Sequence, residues 1–362
     1  MGPRDVKQNL TCSQQLRAIS ESSSQRRVSA GIYAGTARNL ARLAAILRAG
    51  GLVAVPTETV YGLAANALDE RAGAAIFRAK GRPTTDPLIV HIRTLTELDQ
   101  LALVNDAART LARAFWPGPL TMVLPKRPIV PEVVTAGRPS VAVRMPAHPL
   151  FRRLLRLAGV PLAAPSANVF GYVSPTTAAH VRAGLGARIG HILDGGACSV
   201  GLESTIVDLR DPGRPRVLRP GAITHAQLER ALGVAVAHSR MTSRETTAQL
   251  APGLLRRHYS PRTPLVLHDR LPPPGTRAGA AGEAWVFLAR PPGRRRTNVF
   301  WLDARGDLRG AARRLFALLR QLDEAGFARI HFERAPDRDG LAHAINDRLE
   351  RAAARGEVAR PA

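Results

Sequence analysis

The sequence predicts an α/β protein made of two units, a larger α/β or α+β domain and a smaller Rossmann-like domain that follows it. The chain of 362 residues is longer than one ordinary domain, for which about 150 residues is typical. Short apolar segments alternate with segments of helical periodicity along much of the chain, which is typical of α/β proteins. Periodicity is lost over residues 239–263, which predicts a linker between the two units.

The larger domain is predicted over residues 38–238. It follows an extension over residues 1–37 that is rich in Ser, Gln and Arg and is predicted to be disordered. The first predicted helix starts at Asn39 and ends at Gly50, and others cover Glu70–Lys80, Ala107–Phe115 and Pro149–Leu157. Strands are predicted at Leu52–Val55, Leu88–Ile92, Leu120–Leu124, Val141–Arg144 and Val160–Ala164.

The smaller domain is predicted over residues 264–362. Strands are predicted at Leu265–Leu267, Ala284–Leu288 and Arg329–Glu333. Leucines at helical spacing predict an amphipathic helix over Leu308–Glu324, and a final helix is predicted over Leu341–Ala354. This alternation favours a Rossmann-like unit, whose loop over residues 270–282, rich in Pro and Gly, is predicted to be mobile.

The formal net charge of +24 has the sign that attracts phosphate backbones. All but three of the 52 basic residues are arginines, however, and they are spread along the whole chain beside abundant alanine. This distribution indicates compositional drift of a genome as much as a binding face. Contact with RNA therefore stays open, and DNA binding is not expected.

The composition also indicates a cytoplasmic protein. Cys12 and Cys198 lie far apart and support neither a disulfide framework nor a zinc site, which fits a reducing compartment. No run of about 18 apolar residues predicts a membrane span, and the N-terminus lacks the apolar core of a secretory signal. The glycines between Gly184 and Gly190 are one residue too widely spaced for a dinucleotide-binding fingerprint and are interpreted as a loop.

Polar residues follow directly after several predicted strands, where open α/β sheets place their ligands. The first such cluster brings two hydroxyls, a carboxylate and a phenol into one turn, at Thr57, Glu58, Thr59 and Tyr61. These residues can also stabilise a turn without any other role. This cluster alone therefore leaves its function open.

A second cluster lies at the end of a predicted helix, where a glycine separates Lys80 from Arg82. Two cations so placed suit a polyanion such as a triphosphate. Basic residues are also common at helix C-termini, where they complement the helix dipole. In a chain whose basic residues are nearly all arginine, a lysine at this position favours a function.

Further polar residues lie at or near the ends of later strands. His91 alone is more typical of a structural histidine. Arg144 ends an apolar strand, and a buried guanidinium needs an anion, which a substrate carboxylate can supply. The remaining candidates are Ser166, Asn168, Ser174, Ser204 and Arg219.

Eight strings occur in one order across residues 50–221: P-T-E-T-V-Y-G-L, K-G-R-P, P-L-I-V-H-I, W-P-G-P-L-T, V-A-V-R-M-P, A-P-S-A-N, E-S-T-I-V-D and L-R-P-G. Together they resemble the YrdC-like threonylcarbamoyl-adenylate synthases. A-P-G-L-L-R-R-H-Y-S-P and I-N-D-R-L-E-R-A-A resemble the interdomain linker and final helix of the two-domain branch of this family. The resemblance covers roughly residues 38 to 356.

The resemblance implies a twisted α/β open-barrel domain with a basic cavity, followed by the Rossmann-like domain. It implies that L-threonine, bicarbonate or CO2, and ATP form threonylcarbamoyl-adenylate and pyrophosphate, with Mg²⁺ carried by ATP and no protein ligand assigned to the metal. Other proteins, the tRNA threonylcarbamoyltransferase machinery, would then modify the adenosine next to the anticodon of ANN-decoding tRNAs.

The resemblance also implies roles for individual residues. Those implied to bind threonine are Thr59, His91, Arg144, Ala164 and Ser204, with Arg144 on the carboxylate. Those implied to bind ATP are Lys80, Arg82, Asp86, Ser140, Ser166, Asn168, Ser174, Arg219 and Tyr259. The polar quartet characteristic of the family, and implied to be catalytic, is Lys80, Arg82, Ser166 and Asn168. Tyr259, in the linker, would close over the site.

Asp86 departs from the family pattern, which commonly has asparagine before Pro-Leu. Its carboxylate could bind Mg²⁺, which prefers oxygen ligands, or could lie at the rim of the cavity.

Two alternative functions predict different observations. A non-catalytic RNA-binding protein would lack threonine-dependent ATP use, and a carbamoyltransferase of hydrogenase maturation would carry cysteine-rich zinc modules, which this sequence lacks.

Overall fold

The computed structural model describes residues 29–238, 248–255, 258–273, 282–294, 296–336 and 340–354. In this part of the chain two sheets form, one of eleven strands and one of four. No helix in the described ranges is long and apolar enough to cross a membrane.

The first sheet contains strands that precede residue 239. They are β1 (Gly31–Ala34), β2 (Val53–Val55), β3 (Gly62–Asn66), β4 (Ile89–His91), β5 (Leu120–Pro125), β6 (Ser140–Arg144), β7 (Leu162–Ala163), β8 (His191–Asp194), β9 (Thr205–Asp208), β10 (Arg216–Arg219) and β11 (Ala237–His238). Their order in the sheet is β1-β8-β2-β3-β7-β4-β6-β5-β9-β10-β11. Parallel and antiparallel neighbours both occur, so the sheet is mixed.

Helices join these strands. They are α1 (Ala37–Arg48), α2 (Glu70–Lys80), α3 (Leu95–Leu101), α4 (Asp106–Phe115), α5 (Glu132–Thr135), α6 (Pro149–Ala158), α7 (Ala178–Leu185) and α8 (His225–Leu232). Helices α1 and α6 share one apolar cluster with β2, which includes Leu43, Phe151 and Val53. The predicted α/β architecture of this domain is confirmed.

The prediction of disorder through residue 37 is wrong for its last part. Residues 31–34 form β1, which pairs in parallel with β8, and Thr36 caps the first turn of α1 by accepting a hydrogen bond from the backbone N–H of Asn39. A four-residue strand next to glycines is too short to show a period in the sequence. The predicted disorder of residues 1–28 lies outside the described residues.

Two local features set the positions of the polar clusters. Helix α2 begins at Asp69, whose side chain accepts two backbone hydrogen bonds, and it ends at Gly81 in the left-handed conformation (φ 65°). This turn, which favours glycine, leaves Lys80 on the helix and Arg82 beyond it. Strands β4 and β6 are parallel neighbours with His91 opposite Arg144, so these two residues end adjacent strands at the same edge.

The second sheet contains β12 (Leu265–His268), β13 (Glu283–Ala289), β14 (Val299–Asp303) and β15 (Arg329–Glu333), with the helices α9 (Leu308–Glu324) and α10 (Gly340–Ala353). All its pairs are parallel, in the order β12-β15-β13-β14. The predicted Rossmann-like α/β unit is confirmed. Strand β14 was not predicted, because its short apolar run follows an irregular segment rich in Arg and Pro.

The predicted linker lies against both domains where it is described. The backbone N–H of Gln249 donates to the carbonyl of Thr85 (2.8 Å), and that of Ser260 donates to the carbonyl of Gly171 (2.8 Å). Leu254 packs in a small apolar cluster with residues of the first sheet. Most of the loop predicted to be mobile, residues 274–281, lies outside the described residues.

Candidate active site

A cavity lies where β4 and β6 end, and the linker forms part of its wall. Nine residues predicted for the site line it: Thr59, Arg82, His91, Arg144, Ala164, Ser166, Ser204, Arg219 and Tyr259. Glu203 and His258 also line it, although the sequence assigns them no ligand role. The polar clusters at separate strand ends therefore meet at one cavity.

Arg144 has a carboxylate partner within the protein. Its Nη2 donates to Glu58 Oε1 (2.6 Å) and its Nη1 to the hydroxyl of Thr59 (2.9 Å). The other oxygen of Glu58 accepts from the backbone N–H of Ala147 (3.1 Å). Burial alone would raise the pKa of Glu58, but the adjacent guanidinium of Arg144 outweighs it and lowers that pKa. Glu58 therefore supplies an anion for Arg144 within the protein, and the binding of a substrate carboxylate by Arg144 stays a prediction.

His91 lies beside this ion pair and is almost fully buried. Burial and the charge of Arg144 lower the pKa of His91 to about 3. The imidazole ring of His91 lies 5.4 Å, between ring centroids, from that of Phe151. A neutral histidine therefore forms this part of the wall at neutral pH.

Hydroxyl groups of Thr57, Thr59 and Ser204 lie in the cavity wall, and that of Thr121 lies behind Ser204. The hydroxyls of Thr57 and Thr59 are 2.7 Å apart, and those of Thr121 and Ser204 are also 2.7 Å apart. All four residues are buried. Thr121 has no role in the sequence analysis, because no motif marks it and its contact with Ser204 joins residues distant in the chain.

Lys80 does not line the cavity but lies directly behind it. Its Nζ donates to the backbone carbonyls of Ser166 (2.6 Å) and Asn168 (2.7 Å). The residue is 1% exposed, and burial, followed by the charge of Arg82, lowers its pKa well below the usual range. Lys80 therefore joins the Ser166–Asn168 loop to the end of α2, so three members of the predicted quartet come together here.

The fourth member, Arg82, forms an ion pair with Asp86 (2.9 Å between Nη2 and Oδ2). Arg82 also donates to the carbonyls of Asp86 and Pro87. Asp86 is fully buried and does not line the cavity, so its placement at a rim is wrong. Its carboxylate holds Arg82 against the segment that leads into β4.

Three other predicted residues lie away from the cavity wall. Asn168 turns its amide toward the carbonyls of Val169 and Tyr172 (2.9 and 2.7 Å). Ser174 donates to Glu203 (2.5 Å). Ser140 lies at the start of β6, at the opposite end of that strand from Arg144. All three are buried, so none of them presents a free surface to the cavity.

The part of the cavity wall that adjoins Ser204 is formed by Arg219 and the linker. Arg219 donates to the carbonyls of Ser204 (3.1 Å from Nε) and Pro252 (3.2 Å from Nη1). Tyr259 has a positive φ of 62°, and its ring lies 4.1 Å from that of His258. Burial lowers the pKa of Arg219 and raises that of Tyr259. The positive φ, uncommon for a residue other than glycine, holds the phenol inside the cavity.

The acidic residues around the cavity are engaged with arginines. Glu58 pairs with Arg144, and Asp86 pairs with Arg82. Within the described ranges no three His, Cys, Asp or Glu side chains are grouped so that they could hold a metal ion.

Two family models cover most of the chain. Residues 45–221 match the model described as "Telomere recombination". Residues 223–354 match the model described as the C-terminal domain of threonylcarbamoyl-AMP synthase. The first match covers most strands of the eleven-stranded sheet, and the second covers α8, β11 and the four-stranded sheet.

Curated relatives match over nearly their full length. The chain is 40% identical to threonylcarbamoyl-AMP synthase of Pyrococcus abyssi, over 85% of this chain and 92% of that one. It is also 40% identical to the protein of the same name from Bacillus subtilis, over 87% and 92%. The solved structure of P. abyssi Sua5 complexed with L-threonine has a TM-score of 0.81 at 38% identity and covers 89% of this chain and 97% of that one. The chain therefore belongs to the threonylcarbamoyl-AMP synthase family, in its two-domain form.

Proposed function

We propose that this chain joins L-threonine, bicarbonate or CO2, and ATP into threonylcarbamoyl-AMP and pyrophosphate. The observation that carries the proposal is the single cavity with hydroxyls and a neutral histidine at one end and three buried cations at or behind the other. Membership of the family and the relative solved with L-threonine support it. In reaction class the protein would be a nucleotidyltransferase.

The end at Arg144 would bind threonine. Arg144 has five donor hydrogens and can bind a substrate carboxylate beside Glu58, since its contacts with Glu58 and Thr59 use only part of this capacity. His91 and Ser204 would provide neutral polar contacts there. Ala164, 6% exposed, would pack against the small side chain of the substrate.

The other end would bind ATP through cations that contact mainly neutral oxygen atoms. Arg219 and Lys80 donate to backbone carbonyls, and Arg82 lines the wall beside Ser166. Asn168, Ser140 and Ser174 would act here only if their buried side chains turn toward the nucleotide. Mg²⁺ would arrive with ATP and neutralise part of its phosphate charge.

In the proposed reaction, the unprotonated amine of threonine attacks CO2 and loses a proton to form a carbamate. A carbamate oxygen then attacks the α-phosphorus of ATP, and the bond to the bridging oxygen breaks to release pyrophosphate. Charge builds on the phosphate oxygens during this step, so Lys80, Arg82 and Arg219 would act by positioning and electrostatic stabilisation. Tyr259 would close the cavity over the nucleotide.

The product would be used by other cytoplasmic proteins, the tRNA threonylcarbamoyltransferase machinery, which would modify the adenosine next to the anticodon in ANN-decoding tRNAs. Direct contact between this chain and tRNA is not part of the proposal. The cavity lining includes no group of exposed aromatic side chains of the kind that stacks with RNA bases.

The test is pyrophosphate release from ATP by the purified protein in bicarbonate and Mg²⁺, with and without L-threonine. We expect release that requires L-threonine and is poor with L-serine, since the hydroxyls and Ala164 would select the side chain. A folded protein that binds ATP but shows no threonine-dependent release would contradict the proposal.

A further inference from the structure

Among the described residues, the two largest fully buried side chains are arginines of the second domain, Arg320 and Arg348. Both contact the first domain. Arg320 donates to the carbonyls of Val173 and Ser174. Arg348 contacts segments that form the cavity wall. Burying a charge is costly unless it is paired. The partners of the buried Arg348 guanidinium therefore indicate its role in the protein.

Arg348, on α10, makes three contacts with the site. Its Nε donates to Glu203 Oε2 (2.9 Å), and its Nη2 donates to the carbonyl of Pro220 (2.8 Å), the residue after Arg219. Its guanidinium lies 5.5 Å from the centroid of the Tyr259 ring. One side chain of the second domain therefore supports three separate parts of the wall.

The contact with Glu203 extends to a residue predicted to bind ATP. The carboxylate of Glu203 uses its second oxygen, Oε1, to accept the hydroxyl proton of Ser174 (2.5 Å). Glu203 is 5% exposed, and Arg348 is its ion-pair partner within the described ranges. The orientation of this carboxylate, and with it the orientation of the Ser174 hydroxyl, thus depends on Arg348.

We propose that Arg348 is a positioning residue for ATP: by fixing Glu203, Pro220 and Tyr259, it completes the nucleotide end of the cavity from the second domain. This inference rests on the proposed function for the identity of the ligand. Arg348 does not line the cavity, so it acts through the residues that do. The residues implied to bind threonine, such as Arg144 and His91, have no contact with it.

The chain offers a matched control in the same domain. Arg334 is also paired with acidic residues, Asp269 and Glu350, but it is partly exposed and does not line the cavity. Arg348→Met keeps the length of the side chain and removes its charge, and Arg348→Lys keeps the charge. Arg334→Met removes a charge from the same domain without touching the site.

The experiment uses the full-length chain and measures binding of MgATP and of L-threonine by equilibrium dialysis, at a temperature where circular dichroism shows each variant folded. For Arg348→Met we expect the affinity for ATP to fall by up to about tenfold. We expect the affinity for threonine to stay within about twofold of that of the original protein. We expect Arg348→Lys to recover most of the loss and Arg334→Met to bind both ligands normally. Unchanged ATP affinity in Arg348→Met, or equal losses for both ligands, would overturn the inference.

If Arg348→Met does not fold, Glu203→Gln carries the test, because it removes the charge that pairs with Arg348 and leaves Arg348 in place. We expect it to weaken ATP binding while threonine affinity stays within about twofold of the original protein. Unchanged ATP affinity in Glu203→Gln, or equal losses for both ligands, would overturn the inference. Dialysis needs no turnover, so an original protein that binds ATP but forms no threonine-dependent pyrophosphate would contradict the proposed function and leave this test intact.

Discussion

The two ends of the cavity differ in how their charges are balanced. At the threonine end, the guanidinium of Arg144 pairs with the carboxylate of Glu58, with 2.6 Å between Nη2 and Oε1. At the nucleotide end, the cations are Lys80, Arg82 and Arg219, and the carboxylate in direct contact with them is that of Asp86. The first end is neutral as a whole, and the second carries excess positive charge.

This difference in charge balance indicates which class of ligand each end can bind. A balanced ion pair can accept a zwitterion such as an amino acid without a large change in local charge. Buried cations that contact only carbonyls and a hydroxyl are poorly solvated, which is why burial lowers the pKa of Lys80 and Arg219. A polyanion would relieve that cost, which supports the proposed binding of ATP phosphates at this end.

The largest expected effect is on stability, and it distinguishes Arg144 from Arg219. Arg144→Met leaves the carboxylate of Glu58 buried without its partner, so we expect it to lower the free energy of unfolding by about 3–5 kcal/mol. Arg219→Met leaves only carbonyls and a hydroxyl unpaired, so we expect a loss of about 1–2 kcal/mol. Chemical denaturation without ligands measures both.

The double variant Arg144→Met with Glu58→Gln serves as the control, because it removes both charges of the pair. We expect it to recover much of the lost stability. Equal losses for Arg144→Met and Arg219→Met would show that the ends do not differ in charge balance.

Lys80 tests the cationic end. We expect Lys80→Ala to slow threonine-dependent pyrophosphate release by roughly 10²–10³-fold, the size typical of losing one preorganised donor for charge that develops in a transition state. Lys126, which pairs with the exposed Glu132 at the surface, provides the control. Its replacement by alanine should leave the rate unchanged. Near-normal turnover in Lys80→Ala would remove Lys80 from the mechanism.

The pH dependence of stability tests whether His91 is neutral at the threonine end. Its pKa of about 3 in the folded protein lies below the value of about 6.5 expected in the unfolded chain. The unfolded state therefore binds more protons between these values, and the stability that neutral His91 provides above pH 6.5 is lost as the pH falls. From pH 6.5 to 5 this loss amounts to about 2 kcal/mol.

The matched variant is His91→Gln, which cannot take up this proton. Its unfolding free energy, measured by denaturation at several pH values, should fall less steeply over the same interval. An identical pH dependence in both proteins would show that His91 is not the buried neutral group that its surroundings indicate.

Much of the fold could be predicted because it follows local rules. The leucine stripe of Leu308–Glu324 matches α9 residue for residue, and Gly81 marks the end of α2 as predicted. Several short strands, among them β1, β3, β8 and β14, were not predicted, since four or five residues show little periodicity. Their pairing depends on neighbours that are distant in the sequence.

The site could be predicted only in part, for a related reason. Motifs at strand ends identified the residues that converge, because a sheet brings such ends together. The sequence did not reveal which residues far apart in the chain contact each other. Glu58 and Arg144 are 86 positions apart, and Glu203 and Arg348 are 145 apart. Only the topology decides which carboxylate meets which cation, so the pairing of Glu58 with Arg144 could not be predicted.

The contact between Glu203 and Arg348 also has a consequence for biosynthesis. Glu203 leaves the ribosome well before Arg348, which belongs to the last described helix. At about 5–20 residues per second, the first domain exists for roughly seven to thirty seconds with this carboxylate lacking its arginine. A nascent chain or a fragment that ends before α10 therefore has the residues of the threonine end but an incomplete nucleotide end, and synthesis of the final helix decides when the cavity is whole.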